Sequence, residues 1–553
     1  MRMFISMLTF FLLFNGANAQ TYISPVKHTI TLAGAFGEIR SSHFHAGIDI
    51  RPSAKAIDTI YAVADGYLSR VKTQRGGFGR AVYIDHPDGN TSVYAHLSVL
   101  LKPIESYVYQ AQMKDESYEV DLYPEANSIK IKKGQAIGLM GNAGNSYGKH
   151  LHFEIRDTKS EVPKNPFLFG IKAGDNIKPT ISYCTIHGLS PDLNDVHRTR
   201  IGNKFSSTEG GTIPTYAIPA WRAGISVYAF DQMKGSSTRN GYYEMKMFVD
   251  DSLFYYSKMD AVSYEEGDLL DAYVDYTTKS ETGRREALLY RMPANKVSAI
   301  KYLRDDGTIP LFAGSKRKVC LEVSDFDGNK SFAYWYMVRD TAMKGNVPHA
   351  DCDTKLKVEK AQYLSFPGGK LSIDAYTTPN STGFSVSRDS AGITIGCRET
   401  AILKSIELCL DDLDSSSVSE KMIFAKIDET TPSSTGAYWS AGKYCTSINA
   451  TGRYGFITDD KAPSISPGRF SAAAAKYSQF TFELRDNIRY SGQAKTFEYK
   501  VFVDGKFIPC EMKELVKTLY VPISQLSPGK HELLITAMDY AGNKSSFSRT
   551  FTK

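Results

Sequence analysis

Beyond one short stretch at its start, this sequence lacks any long apolar run; it also lacks a C-x-x-C pair and a marked excess of either charge. Each absence excludes a class. A membrane-spanning helix needs about 20 apolar residues, so a polytopic membrane protein is excluded. Lys and Arg number 66 against 60 Asp and Glu, and a net charge of +6 over 553 residues is too small to suggest a nucleic-acid binder. The seven cysteines (Cys184, Cys320, Cys352, Cys397, Cys409, Cys445 and Cys510) all follow residue 180 and show no zinc-ribbon spacing. Their odd number leaves at least one without a partner in the chain. Cys397 and Cys409 stand close enough in sequence to bridge, and the expectation is mostly buried free thiols with one or two disulfides.

What is present points to β-structure. Tyr (34), Phe (29) and Gly (43) are plentiful, as strands and frequent turns require. At roughly 150 residues per domain, the length suggests about four domains. The start reads as a secretory signal: Arg2, the apolar run 4–14, then Ala17-Asn18-Ala19 with cleavage before Gln20. Asn15-Gly16 interrupts the run too early for a membrane anchor, and Gln20 in place of Cys argues against lipidation there. The expected location is the periplasm or cell envelope, or outside the cell, with no transmembrane anchor in the mature chain.

Six of the eleven histidines fall between His43 and His152, in three motifs and one turn. The segment 148–155 reads Gly-Lys-His-Leu-His-Phe-Glu-Ile. Leu151, Phe153 and Ile155 alternate with His150, His152 and Glu154, the period-2 pattern of a half-buried strand. Both imidazoles then leave from one face, where one can bind a metal and the other can reach a water. The segment 43–49, His-Phe-His-Ala-Gly-Ile-Asp, adds His45 and Asp49 across a glycine that lets the backbone bend. His, Asp and His form a three-ligand zinc set whose fourth position is left to water, the arrangement of a catalytic site. A third segment, Val93-Tyr94-Ala95-His96-Leu97, supplies His96.

These three motifs, H-x-x-x-D, Y-x-H-L and H-L-H in that order, resemble the lysostaphin-type (LytM-like) peptidoglycan endopeptidases, a zinc metallopeptidase family. The resemblance extends over about residues 34–170 and includes the connecting phrases at 61–66, 82–86, 131–135 and 141–146. It implies one Zn2+ per chain held by His45, Asp49 and His152, with zinc-bound water as the nucleophile. His150 would be the general base, and His96 would meet the developing oxyanion or hold the water. The implied fold is a small antiparallel β-domain with a groove across its sheet. Two departures stand out. Tyr147 and Lys149 occupy a loop where smaller or stiffer residues are expected. Residues 104–127 form an insert, rich in Tyr and acidic residues, read as a loop that contacts substrate. His43 is expected to pack beside the site, and His86 to serve its turn. His28, His187, His197, His349 and His531 fit no motif.

The remainder reads as a β-rich tail with an internal repeat. Short alternating strands recur, and the turn Asp-x-x-Gly-Asn-Lys-Ser appears at 325–331 and again at 539–545. The expected fold class is mostly β, an N-terminal antiparallel peptidase domain followed by immunoglobulin- or fibronectin-like sandwiches. The expected division is a signal peptide at 1–19, a zinc peptidase domain at 20–178 with the insert 104–127, and an immunoglobulin-like sandwich at 179–344. A β-rich domain of unassigned class at 345–470 and a second immunoglobulin-like sandwich at 471–553 complete it. The first sandwich is swollen by about forty residues near 255–300. The tail is expected to lack metal clusters and to act as a spacer; Asp250, Asp325 and Asp327 invite a calcium reading but are taken as ordinary turn residues.

The expected function is a secreted zinc metalloendopeptidase acting on the peptide cross-links of bacterial peptidoglycan. Its partners would be stem peptides, plus a wall or envelope protein if the tail binds one, and no nucleic acid. The rival readings are a non-catalytic or autoinhibited activator of other wall hydrolases, and a wall-binding protein. The retained ligands and auxiliary histidines favour catalysis.

Overall fold

The computed structural model describes residues 22–553 except 203, 235, 348–351, 398–399, 412, 414–418, 420, 441 and 491–496. The predicted leader, 1–19, lies outside the described residues. The protein is mostly β, built from largely antiparallel sheets with few helices. Among the described residues no helix is long and apolar enough to cross a membrane.

The first sheet has nine strands. Its main path runs Leu32–Gly34, Ile48–Ile50, Leu151–Asp157, Asn90–Ala95, Arg80–Asp85, Gly66–Thr73 and Val120–Leu122. The alternation read from sequence decides which face each side chain takes. Ile48, Ile50, Val82, Ile84, Tyr94, Leu151, Phe153 and Ile155 are buried in the main core, together with residues of a three-stranded sheet, Thr59–Tyr61, Ala136–Met140 and Leu97–Leu100. The opposite face of the nine-stranded sheet is not left to solvent. Ala81, Tyr83, Val93 and Ala95 form a second cluster there, with Phe78 packed on it. Register places His152 directly between Asp49 on one neighbour and Ala95 on the other. This row of the sheet is the floor on which the site is built.

The insert is not a loop. Ile104–Asp115 is a helix that buries Ile104, Val108 and Gln112, and Val120–Leu122 joins the sheet as an edge strand beside Gly66–Thr73. Its inward row is only one residue wide and includes a polar residue, so the apolar period was weak in sequence. Gln112 is satisfied by donating to the Tyr118 carbonyl at 2.7 Å.

Beyond the exit at 165–179, a five-stranded and a six-stranded sheet follow, and they share one continuous hydrophobic cluster with the first sheet, from Tyr22 to Met337. The expected expansion of this region holds three short helical turns, Tyr264–Leu269, Leu270–Tyr273 and Tyr276–Thr282. Residues of 356–454 form a separate core with two disulfides, Cys352–Cys397 and Cys409–Cys445. Cys397 and Cys409 therefore bridge to other partners, not to each other; Cys184, Cys320 and Cys510 stay free. The last segment packs two four-stranded sheets over Phe480, Phe482, Val501, Leu519, Leu533 and Ile535.

The two Asp-x-x-Gly-Asn-Lys-Ser turns are held identically. Asn329 donates its backbone N–H and side-chain amide to the two carboxylate oxygens of Asp325, at 2.8 and 2.7 Å. Asn543 does the same to Asp539, at 2.8 and 2.9 Å. Ser331 and Ser545 each donate to the carbonyl of a proline, Pro179 and Pro463, that opens the respective copy.

The last segment also returns to the first sheet. Arg75 donates to the Phe497 carbonyl at 2.7 Å, Arg80 pairs with Glu511 at 2.8 Å, and Lys500 pairs with Glu116 of the insert at 2.8 Å.

Candidate metal centre

The sheet brings His45, Asp49, His96, His150 and His152 into one group. His45 Nε2 lies 3.0 Å from Asp49 Oδ1 and 3.0 Å from His152 Nδ1, and His152 Nδ1 lies 2.9 Å from the same oxygen. All three residues are buried. His150 Nε2 stands 3.6 Å from Asp49 Oδ1. The His96 and His150 rings are 4.8 Å apart.

The second nitrogen of each ring determines what the first can do. His45 Nδ1–H donates to the Ala35 carbonyl at 2.7 Å, which leaves Nε2 as a lone pair facing the cluster. His152 Nε2–H donates to Glu154 at 2.7 Å, which leaves Nδ1. His96 Nδ1–H donates to the Ala143 carbonyl at 2.8 Å, and His150 Nδ1–H to the Gly148 carbonyl at 2.8 Å. With both rings neutral, two imidazole lone pairs and a carboxylate oxygen converge with no proton between them. Such a set is repulsive alone and satisfied by a cation. Ligands about 2.0–2.1 Å from one tetrahedral zinc stand roughly 3.3 Å apart, and this donor set fits.

Buried charges around the donors are balanced. Asp49 offers Oδ1 to the cluster while Arg40 holds Oδ2 at 2.9 Å. Burial alone would raise the Asp49 carboxyl, but His45 and His152 hold it well below the usual range. Glu154, wholly buried, is gripped by Arg156 at 2.6 Å; burial opposes its charge, yet Arg156 and His152 bring it down to about 2. Tyr264, from the first helical turn of the expansion, donates to Glu154 at 2.8 Å and accepts from Arg156 at 2.6 Å. His152 answers this: burial pulls it down, and the bonds to Asp49 and Glu154 push it up to about 9, so without a metal a proton takes the cation's place between its Nδ1 and Asp49. Burial, followed by His152 and His150, lowers His96 to about 3, so it stays neutral.

The walls are partly as expected. Phe78 packs against His152, its ring 5.1 Å away. Tyr147 is 92% exposed, while Lys149 is tied to Asp58 at 2.7 Å. Gly47 serves close approach more than a bend, because a Cβ there would meet the Phe153 carbonyl at 2.4 Å. His43 is exposed beside the site and hydrogen-bonded to Ser42, and His86 is fixed by the Asp65 carbonyl and Ser92. Sequence reasoning placed Glu154 on the histidine face but gave it no role, and it missed Arg40, Arg156 and Tyr264. None of these three belongs to a motif or pattern that singles it out.

The model of Peptidase family M23 matches residues 43–113 and 125–166, passing over part of the insert. The DD-carboxypeptidase/endopeptidase Mpg of Neisseria meningitidis serogroup B is 34% identical over 139 residues, covering 24% of this chain and 26% of its own. An uncharacterized metalloprotease of Haemophilus influenzae is 34% identical over 129 residues, covering 23% of this chain and 20% of its own. The chain thus spans about a quarter of the length of the curated relatives it matches. Among solved structures, the catalytic domain of lysostaphin from Staphylococcus simulans aligns at 20% identity with a TM-score of 0.19, covering 25% of this chain and 91% of that one.

Proposed function

With residues 43–166 an M23-type (LytM-like) domain, we propose that the protein is a secreted zinc metalloendopeptidase that hydrolyses peptide cross-links of peptidoglycan. The observation that carries this reading is the convergence of His45 Nε2, Asp49 Oδ1 and His152 Nδ1, each with its other polar atom already engaged. These three residues would hold the metal. When bound, zinc supplies a Lewis acid for the scissile carbonyl and acidifies the attacking water.

The protein's own residues supply the rest. His150, with Nδ1–H tied to the Gly148 carbonyl, presents Nε2 as the base that takes the water's proton and later returns it to the leaving amine. His96 presents an accepting Nε2, because its only proton is committed to the Ala143 carbonyl. In this reading it holds the water, by accepting from it, and does not donate to an oxyanion. Arg40 and Glu154 keep two of the ligands oriented, as outer partners of metal ligands do. The name of the Neisseria relative favours a D,D bond as the target. The leader read from sequence at 1–19 supports an envelope location for this activity, and the tail is taken as immunoglobulin-like modules at 179–344 and 471–553 flanking a β-rich one.

The test is digestion of purified sacculi by the zinc-loaded full chain, read by mass spectrometry of muropeptides. Cross-linked dimers should fall to monomers, and His150→Ala should lose about 10²-fold or more in rate while keeping its zinc. Dimers left intact by the zinc-loaded protein would refute the enzyme and favour the activator reading.

A further inference from the structure

The tail was expected to lack metal clusters, but the fold draws two of its aspartates together with a third from the segment that leads into it. Asp175 lies on the segment leaving the M23-type domain, Asp231 just beyond the strand Arg222–Phe230, and Asp325 just beyond Lys316–Ser324. Each places one carboxylate oxygen within 4.8 Å of the others. Asp250 is not among them; it pairs with Arg317 at 2.6 Å. Asp327 stands beside the group and accepts the Asp175 N–H at 2.8 Å.

Three carboxylates in one pocket need a counter-charge, and among the described residues no Lys, Arg or His forms an ion pair with any of them. Lys172 lines the same cavity, of about 270 Å³, without such a pair. Two further observations point to a ligand. Asp231 is 8% exposed and its Oδ1 has no hydrogen-bond partner. Asn240, paired to Asp231 through the backbone and lining the same cavity, is 2% exposed with both amide atoms unpartnered. An unpaired buried polar atom is costly, more so when it is charged, so a cluster of them marks a position where a partner belongs.

We propose that Asp175, Asp231 and Asp325, with Asn240 beside them, form a binding site for a hard divalent cation, calcium, that ties the exit of the M23-type domain to both sheets behind it. The donors are all oxygen, without His or Cys, which selects calcium or magnesium over zinc. Calcium suits a site of irregular geometry assembled from three distant segments, because magnesium demands near-octahedral order. The repeat offers an internal parallel: Asp459, Asp486 and Asp539 also bring their oxygens within 4.8 Å. There the Asn543 amide donates to the Asp459 carbonyl at 3.0 Å, as the Asn329 amide does to the Asp175 carbonyl at 3.3 Å. The competing account is that Asp231 holds a proton, since burial and then Asp325 and Asp175 push it up to about 7.

The experiment is calorimetric titration of the zinc-loaded, calcium-depleted full chain with calcium chloride, with magnesium chloride in parallel. Wild type should bind calcium with a Kd of about 1 mM or below, as extracellular modules do. Asp231→Asn and, separately, Asp175→Asn should lose one equivalent or weaken it about tenfold or more, with circular dichroism unchanged. Asp250→Asn is the control and should bind as wild type. If the second triad also binds, wild type takes two equivalents and Asp231→Asn one. Wild type binding no calcium up to about 10 mM, ten times the weakest expected Kd, would overturn the proposal and leave the protonated acid. So would Asp231→Asn and Asp175→Asn binding calcium with wild-type stoichiometry and affinity.

Discussion

Glu154 shows how much of a metal site lies behind its ligands. Its carboxylate receives the His152 Nε2–H, the Arg156 guanidinium and the Tyr264 hydroxyl, and has no exposure of its own. Glu154→Gln would place an amide against His152 and Arg156, free the His152 ring to change tautomer and weaken zinc binding about 10–100-fold. Equilibrium dialysis against a zinc indicator checks this. Tyr264→Phe removes one neutral donor worth about 1 kcal/mol, so its effect in the same assay should be about fivefold. Unchanged zinc affinity in both variants would show that the ring needs no outer support. At this scale His45, Asp49, His96, His150 and His152 were legible, because the chemistry demands those residue types at short, ordered spacings. Arg40 and Tyr264 were not. Each is an ordinary surface-type residue in its own segment, and only the folded chain brings it to a ligand.

Among the elements, the strand of Leu151–Asp157 was read in the right phase but with one face too open. Glu154 and Arg156 on the histidine face are also buried, because Tyr264 and Phe78 cover them. The insert was misread because its acidic and tyrosine residues outweighed a narrow inward row. Its helix and edge strand widen the sheet and give the C-terminal sandwich a place to rest. Arg75, 1% exposed, is the centre of that contact: it bonds Glu119 at 3.2 Å and the Phe497 carbonyl at 2.7 Å. Arg75→Ala removes charge-assisted bonds worth about 1.5–3 kcal/mol. Opening of the contact should then be about 10–150-fold more populated, read as faster proteolytic release of the C-terminal fragment. A cleavage rate equal to wild type would mean the contact does not hold the two parts together.

For the whole molecule, the mostly β character was visible in composition and turn spacing, and the duplication in one repeated turn. That turn was visible because the bonds from Asn329 to Asp325 and from Asn543 to Asp539 tolerate few other residues. The matching Asp175 and Asp459, and Pro179 and Pro463, were hidden by the different lengths between the copies. The tail's role was the least legible part. A spacer reading follows from strands without motifs, whereas the folded tail supplies Tyr264 to the site, shares the core from Tyr22 to Met337 and closes back on Arg75 and Arg80.

Tyr264 also makes the centre dependent on its neighbour. It follows Glu154 by 110 residues. Every ligand lies at or before His152, while this brace belongs to the module behind them. A chain cut after the M23-type domain would keep all its ligands and lose the hydroxyl that holds Glu154 against His152. The catalytic unit and the folding unit therefore do not end at the same residue.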